Sequence, residues 1–386
     1  MAGIYLHIPF CRQACHYCNF HFSTTLQGMN DFVPALLKEM DRRRDYLGDR
    51  SVQTVYLGGG TPSLLSPAAI NTILEHIRRH FTVGPDPEIT LEANPDDMTD
   101  RGQLIAWHAA GITRLSIGVQ SFFDADLRWM NRAHQAQQAR ESIRLAQEAG
   151  FDNLSIDLIY GGPTLPDDHW EANVREAIRF GIPHLSCYAL TVEPRTALDK
   201  LIRQHKQDEV SADDQARQLL LLMDWMTDAG YEHYEISNFA RPGRRSRHNS
   251  AYWQGTTYLG LGPSAHSYDG LSRQWNIANN AKYMAAMTLA DPLPSLVAGK
   301  EMLTGVQQFN EYVMLALRTT EGLDSRQMKG RFGDQAVQGI IKRIEPYVLH
   351  GKAVMTDDRI FLTPEGKLLA DRIAADLFYD VLPGES

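Results

Sequence analysis

No unbroken apolar stretch in these 386 residues approaches the roughly 20 that a membrane-spanning helix needs. The opening MAGIYLHIPF has no basic start and is too short for an apolar region plus a cleavage site, so no secretory signal is expected. Positive charge is short as well. Against 38 Lys and Arg stand 47 Asp and Glu, a formal net charge of −9. Without a basic excess, nucleic acid is excluded as the main partner. Cysteine is scarce, at 4 residues, and three of them crowd into residues 11–18. That crowding argues against a disulfide scaffold and for a metal site in a reducing compartment, so a cytoplasmic location is expected. Low-complexity segments and internal repeats beyond a βα rhythm are also missing.

What is present is an ordinary globular composition, 43% hydrophobic and 22% charged, enough for one large domain and a smaller one. Strand-like runs at 4–8, 53–57, 88–92, 114–119, 154–159 and 184–188 alternate with helical patterns. Phe32, Leu36, Leu37 and Met40 form one such pattern; Ile70, Ile73, Leu74 and Ile77 another; Ile143, Ala146 and Ala149 a third. Six β-then-α units predict an α/β fold, a parallel sheet curled into a partial (β/α)6 TIM-like barrel. After residue 230 the rhythm breaks into a stretch rich in Gly, Tyr and Arg. From about 305, helices at 309–318 and 325–349 precede a strand, a tight Asp-Asp turn, a strand and a helix. The expected organisation is a barrel over 1–230, a loop-rich extension over 231–304 and a winged-helix-like domain over 305–386. That last domain lacks a basic recognition helix, so a structural or docking role is expected, with transient contact at a membrane surface among the options.

Cys11, Cys15 and Cys18 follow the first strand in C-x3-C-x2-C spacing. A short loop so spaced wraps thiolates around one face of a metal cluster. Zinc prefers four closed ligands, and His16, or less readily His7 or His21, would have to supply the fourth. A [4Fe–4S] cluster on three thiolates instead keeps one iron open, which makes it a chemical site. The fourth cysteine, Cys187, lies in a strand and reads as a small core residue.

The spacing, its place after strand one and the aromatic Tyr17 before the last cysteine resemble the radical S-adenosylmethionine (radical SAM) superfamily. The resemblance implies a [4Fe–4S] cluster on Cys11, Cys15 and Cys18 whose open iron is chelated by the amino and carboxylate groups of SAM. It also implies SAM contacts at successive strand ends, where barrels place their ligands. GGGTPS puts Gly59, Gly60 and Thr61 near the SAM amino group, and LEANP offers Glu92. SIGVQSF offers Gln120, MNRAH offers Arg132 for the carboxylate, IDLIYGGP offers Asp157, and SCYALTVEP sets Ala189 near the adenine. Tyr5 and Tyr17 join them as cofactor-binding candidates.

The phrases YLHIPFC, YLGGGTPS, EANP, SIGVQSF and DLIYGGP are similar to those of oxygen-independent coproporphyrinogen III oxidases and their relatives. Within that branch three features favour the oxidase-like heme chaperones. Phe20 stands where the oxidases carry a further cysteine, and the chain opens at the first strand without their longer leading segment. HNSAYW, residues 248–253, fits the H-N-x-x-Y-W pattern of the heme-binding members. The resemblance implies uptake of heme and its transfer to acceptor hemoproteins, those of the respiratory chain among them. His248 is then an axial iron ligand, and Tyr252 and Trp253 are flat surface for the macrocycle. Arg244, Arg245 and Arg247 are placed to meet propionates, although an arginine-rich loop is ordinarily a solvated surface. His266 is a minor second candidate. The alternative is an enzyme of the same branch that cleaves SAM and decarboxylates coproporphyrinogen III oxidatively.

Overall fold

All six expected strands form in a computed structural model, which describes residues 2–291 and 293–383. They are β1 (Ala2–Ile8), β2 (Ser51–Gly59), β3 (Thr82–Ala93), β4 (Arg114–Gln120), β5 (Leu154–Tyr160) and β6 (His184–Ala189). Each pairs in parallel with the next. Their period-2 pattern separates two chemistries. Ile4, Leu6 and Ile8 of β1, Val55 and Leu57 of β2, and Leu115, Ile117 and Val119 of β4 are buried in the apolar core. The alternate residues line the lumen in layers. Tyr5, Tyr56, Thr90 and Arg114 pair along one layer, and Glu92, Ser116, Ser155 and His184 along another. A lumen this polar has to satisfy its groups internally or with a ligand.

The helices match their patterns. The helix Pro67–His80 starts where the Ser66 hydroxyl accepts from the Ala69 N–H and Pro67 takes the first helical position. It buries Ile70, Ile73, Leu74 and Ile77. The helix Met29–Arg43 buries Phe32, Leu36 and Met40, while Leu37 is only half-buried against the same core. Ala136–Glu148 buries Ile143 and Ala146 and ends just before Ala149.

The segment 231–304 departs from its expected loop-rich character. It carries β7 (Glu232–Glu235), β8 (Asn238–Ala240), β9 (Tyr258–Leu261), β10 (His266–Tyr268), β11 (Ser272–Asn276) and β12 (Val297–Met302). The resulting 12-stranded sheet runs β12-β11-β10-β9-β1-β2-β3-β4-β5-β6-β8-β7. β9 lies parallel to β1, a seventh strand of the parallel block, while β8 closes antiparallel on β6. The extension therefore covers both edges of the barrel sheet, which removes two exposed pairing edges. Residue 230 does not divide one sheet from another.

The C-terminal domain packs the helices Gly305–Leu317, Ser325–Phe332, Asp334–Leu349 and Ala370–Leu377 around their own core, which includes Phe309, Val313, Ile340, Ile344 and Ile373. Its wing has three antiparallel strands, one more than expected: β13 (Leu323–Asp324), β14 (Ala353–Met355) and β15 (Arg359–Leu362). No described helix is long and apolar enough to cross a membrane.

Candidate functional site

The cysteine loop leaves the C-terminal end of β1 and is tied down at several points. The Cys11 N–H donates to the Ser23 carbonyl at 3.0 Å, and the His16 N–H donates to the Met130 carbonyl at 3.1 Å. Asn131 donates its side-chain amide to the Ala14 carbonyl at 2.7 Å. The three thiols are free and half-buried, and all line one cavity of about 470 Å³. Burial raises the Cys11 thiol and pushes Cys18 up to about 11.

Two observations favour a cluster over a single zinc ion here. The three sulfurs do not all lie within 4.8 Å of one another, whereas zinc bonds of about 2.3 Å would hold them roughly 3.8 Å apart. Of the histidines considered as a fourth ligand, His7 has both ring nitrogens engaged, with the Tyr5 hydroxyl at 3.0 Å and the His21 carbonyl at 2.7 Å. His16 Nδ1 pairs with the Trp129 carbonyl at 3.0 Å and His21 Nε2 with Asn280 Oδ1 at 2.8 Å. None of the three lines the cysteine cavity.

The same cavity is lined by Tyr17, Gly59, Gly60, Thr61, Glu92, Gln120, Arg132, Asp157 and Ala189. Backbone proximity explains the glycines. A Cβ on Gly60 would stand 2.6 Å from the Phe10 carbonyl oxygen and 2.7 Å from that of Ile8, so the cysteine loop rests directly on this residue. Gln120 closes β4 at φ 65°, a left-handed conformation that a non-glycine residue adopts at some strain.

Glu92 accepts from the Tyr56 hydroxyl at 2.7 Å and from the Gly59 N–H at 3.1 Å. Burial, with the nearby Asp157 adding to it, pushes Glu92 up to about 7. Burial likewise pushes Asp157 up to about 6, although Arg114 and the Ser186 hydroxyl hold it down. Arg132 donates to Cys15 Sγ at 3.3 Å, to Asn94 Oδ1 at 2.7 Å and to the Gly118 carbonyl at 2.9 Å. Its Nε is buried without a partner. Three thiols, an unsatisfied guanidinium donor and two desolvated carboxyls are the donor set that a cluster bearing an amino acid-like ligand calls for. The residues fit the group.

Tyr5 is not among the residues lining the cavity. Its hydroxyl pairs with His7 Nδ1 at 3.0 Å and its ring stacks at 6.1 Å on Tyr56, the neighbour in its layer that does line it.

HNSAYW forms the greater part of a short helix, Arg247–Trp253. The Ser246 hydroxyl accepts from the Asn249 N–H at 3.2 Å, and the buried Glu88 carboxylate accepts from the N–H groups of Arg247 and His248 at 2.9 and 2.8 Å. A carboxylate at that end also suits the helix dipole. The motif's three side chains do not share a surface. His248 is 2% exposed and stacks on Tyr56 at 5.0 Å. Its Nδ1 pairs with Thr54 Oγ1 at 2.8 Å and its Nε2 with the Tyr252 hydroxyl at 3.0 Å. Neither nitrogen is free for iron in this arrangement, and burial lowers the imidazole to about 3. Trp253 faces the other way, into a second cavity of about 260 Å³ shared with Tyr312 and Arg331 of the C-terminal domain.

Arg244, Arg245 and Arg247 pair with Asp152, Glu232 and Asp86 at 3.1, 2.9 and 3.2 Å, as a solvated surface would. His266 is exposed and stacks on Trp275. Cys187 is buried in the apolar core. The cavity also takes in Tyr56, Asn94, Tyr188 and Asn249, none of which was singled out from the sequence. Asn249, the second residue of HNSAYW, is the point where that helix touches the cysteine-lined cavity.

Comparison with known proteins agrees with this architecture. The model of the radical SAM superfamily matches residues 5–177, and that of the HemN C-terminal domain matches 303–369. A heme chaperone HemW from Mycobacterium tuberculosis is 36% identical over 97% of this chain and 94% of its own length. That of Bacillus subtilis is 32% identical over 97% and 98%, and that of Escherichia coli 39% over 68% and 69%. Among solved structures, the coproporphyrinogen III oxidase HemN of Escherichia coli superposes with a TM-score of 0.83 at 24% identity, covering 98% of this chain and 91% of that one. With the barrel, the cysteine loop and likeness along nearly its whole length, the chain belongs to the HemW family of radical SAM proteins.

Proposed function

We propose that the chain takes up heme and hands it to acceptor hemoproteins in the cytoplasm, those of the respiratory chain included. In this reading it carries a [4Fe–4S] cluster on Cys11, Cys15 and Cys18, with SAM beside it. The observation that carries the cofactor half is the convergence of three free thiols, Arg132, Glu92 and Asp157 on one cavity. The heme half rests on the name borne by relatives over 97% of the chain, together with HNSAYW.

When bound, the cluster and SAM supply one-electron cleavage chemistry. The chain's own part is positioning. Arg132 offers its unpartnered Nε to a carboxylate. Glu92 and Asp157 accept from an ammonium or from hydroxyls, and Gly59, Gly60 and Thr61 bring backbone close. Tyr17 and Gln120 shape the wall, and Ala189 leaves room for a flat base.

His248 is the proposed axial ligand, with Tyr252 and Trp253 as the flat surface. Both nitrogens of His248 are engaged, so ligation requires the helix Arg247–Trp253 to withdraw from Thr54 and Tyr252 to release the ring. The winged domain is the proposed docking face for acceptors, with transient contact at a membrane surface. Oxidation of coproporphyrinogen III is the second reading, favoured by the complete cavity. Phe20, 66% exposed at its rim, weighs against it.

Heme titrated into anaerobically reconstituted protein tests the reading. The parent should show saturable one-to-one binding by its absorption band, and His248→Ala a lost or shifted band. No saturable binding in either overturns the carrier reading, and product formed from coproporphyrinogen III would replace it.

A further inference from the structure

Two outer helices of the barrel meet at a group that none of this chemistry uses. Asp41, on the helix Met29–Arg43, faces His76 and His80, on the helix Pro67–His80. Four residues apart, the two imidazoles share one face of their helix, with ring centroids 4.6 Å apart. Both Nε2 atoms reach the same carboxylate oxygen, Asp41 Oδ1, at 2.7 and 2.9 Å. The side chains are 12%, 16% and 47% exposed for His76, His80 and Asp41, so the rings are held while solvent reaches the carboxylate. All three ligand atoms lie within 4.8 Å of one another. Zinc bonds of about 2.0–2.1 Å in tetrahedral geometry place donors roughly 3.3 Å apart. The two contacts to Asp41 Oδ1, at 2.7 and 2.9 Å, need to open by only about half an ångström, which small side-chain rotations supply.

We propose that Asp41, His76 and His80 form a binding site for a divalent transition-metal ion, with zinc as its type. Two imidazoles and one carboxylate suit zinc, nickel or copper better than calcium or magnesium, which favour all-oxygen shells. The site lies where both helices end and the chain enters β2 and β3, at the opposite ends of the strands from the cysteine cavity. A metal there pins the first two outer helices together. Arg44 and Arg79 stand near His80 and oppose a cation, so the charge of Asp41 is essential to the site.

The test is equilibrium dialysis of Zn²⁺ against cluster-loaded protein under argon, which keeps the three cysteines occupied. One zinc per chain should bind to the parent and be lost in His76→Ala and in Asp41→Asn. Zinc should also raise the unfolding midpoint of the parent by about 2 °C or more, but not that of the variants. Equal uptake by parent and variants overturns the proposal, as does no uptake by the parent. His80→Gln, which nearly keeps the size of the side chain, gives the same comparison should either other variant fail to fold.

Discussion

The imidazole of His248 and the hydroxyl of Thr54 meet at 2.8 Å inside the barrel and join the helix Arg247–Trp253 to β2. Thr54→Val keeps the shape and removes the partner. It should lower stability by about 1–2 kcal/mol, the cost of leaving one buried polar group unsatisfied. If His248 ligates heme only after this contact opens, heme should also associate faster with the variant in stopped flow. Equal association rates would show that uptake does not pass through this contact.

Gly60 carries the cysteine loop on its back. In Gly60→Ala the new methyl group meets the carbonyls of Ile8 and Phe10, which cannot move without shifting Cys11. Iron retained per chain after reconstitution should fall by more than half. Gly330→Ala, where an added Cβ meets nothing within 4 Å, should leave it unchanged.

Glu92 titrates at about 7 in the folded chain, against an ordinary value of 4.5, chiefly because it is buried. A carboxyl raised in this way favours the fold while protonated. Its contribution is complete below about pH 4.5 and is lost as pH climbs through 7. The parent should therefore lose on the order of 1–3 kcal/mol between pH 5 and 8 that Glu92→Gln does not lose. Denaturant midpoints of the two proteins across that range give the comparison, and parallel curves would place the proton elsewhere.

Arg132 spans Cys15, Asn94 and Gly118 with its two terminal nitrogens. Lysine has the charge but not the fork. Arg132→Lys should weaken SAM binding to the reconstituted protein by about tenfold or more, the loss of one charge-assisted contact. Dialysis with labelled SAM measures it, and unchanged affinity would remove Arg132 from the SAM contacts.

The barrel and its cysteine loop were legible because each rests on a local signal. The barrel strands are apolar and buried along most of their length, which declares them, and C-x3-C-x2-C fixes its own position. β7 to β11 have three to five residues each, too few for a period to show, and β12 (VAGKEM) has six but is mostly exposed and carries no apolar alternation, so the segment holding them reads as loop. Tyr56 and Thr54 were half legible. Alternation with Val55 and Leu57 puts them on the inner face of β2, but only the fold brings Glu92 to one and His248 to the other. The orientation of HNSAYW was not legible at all. A motif names chemistry without saying which side of a seven-residue helix faces inward.

That orientation has a consequence for the unloaded protein. One side of the short helix is committed to the barrel through His248 and Tyr252, and the other to the crevice against the C-terminal domain through Trp253. The two halves of the motif are therefore unequally available: a guest proposed for His248 and Tyr252 has contacts to displace, whereas beside Trp253 there is already open space.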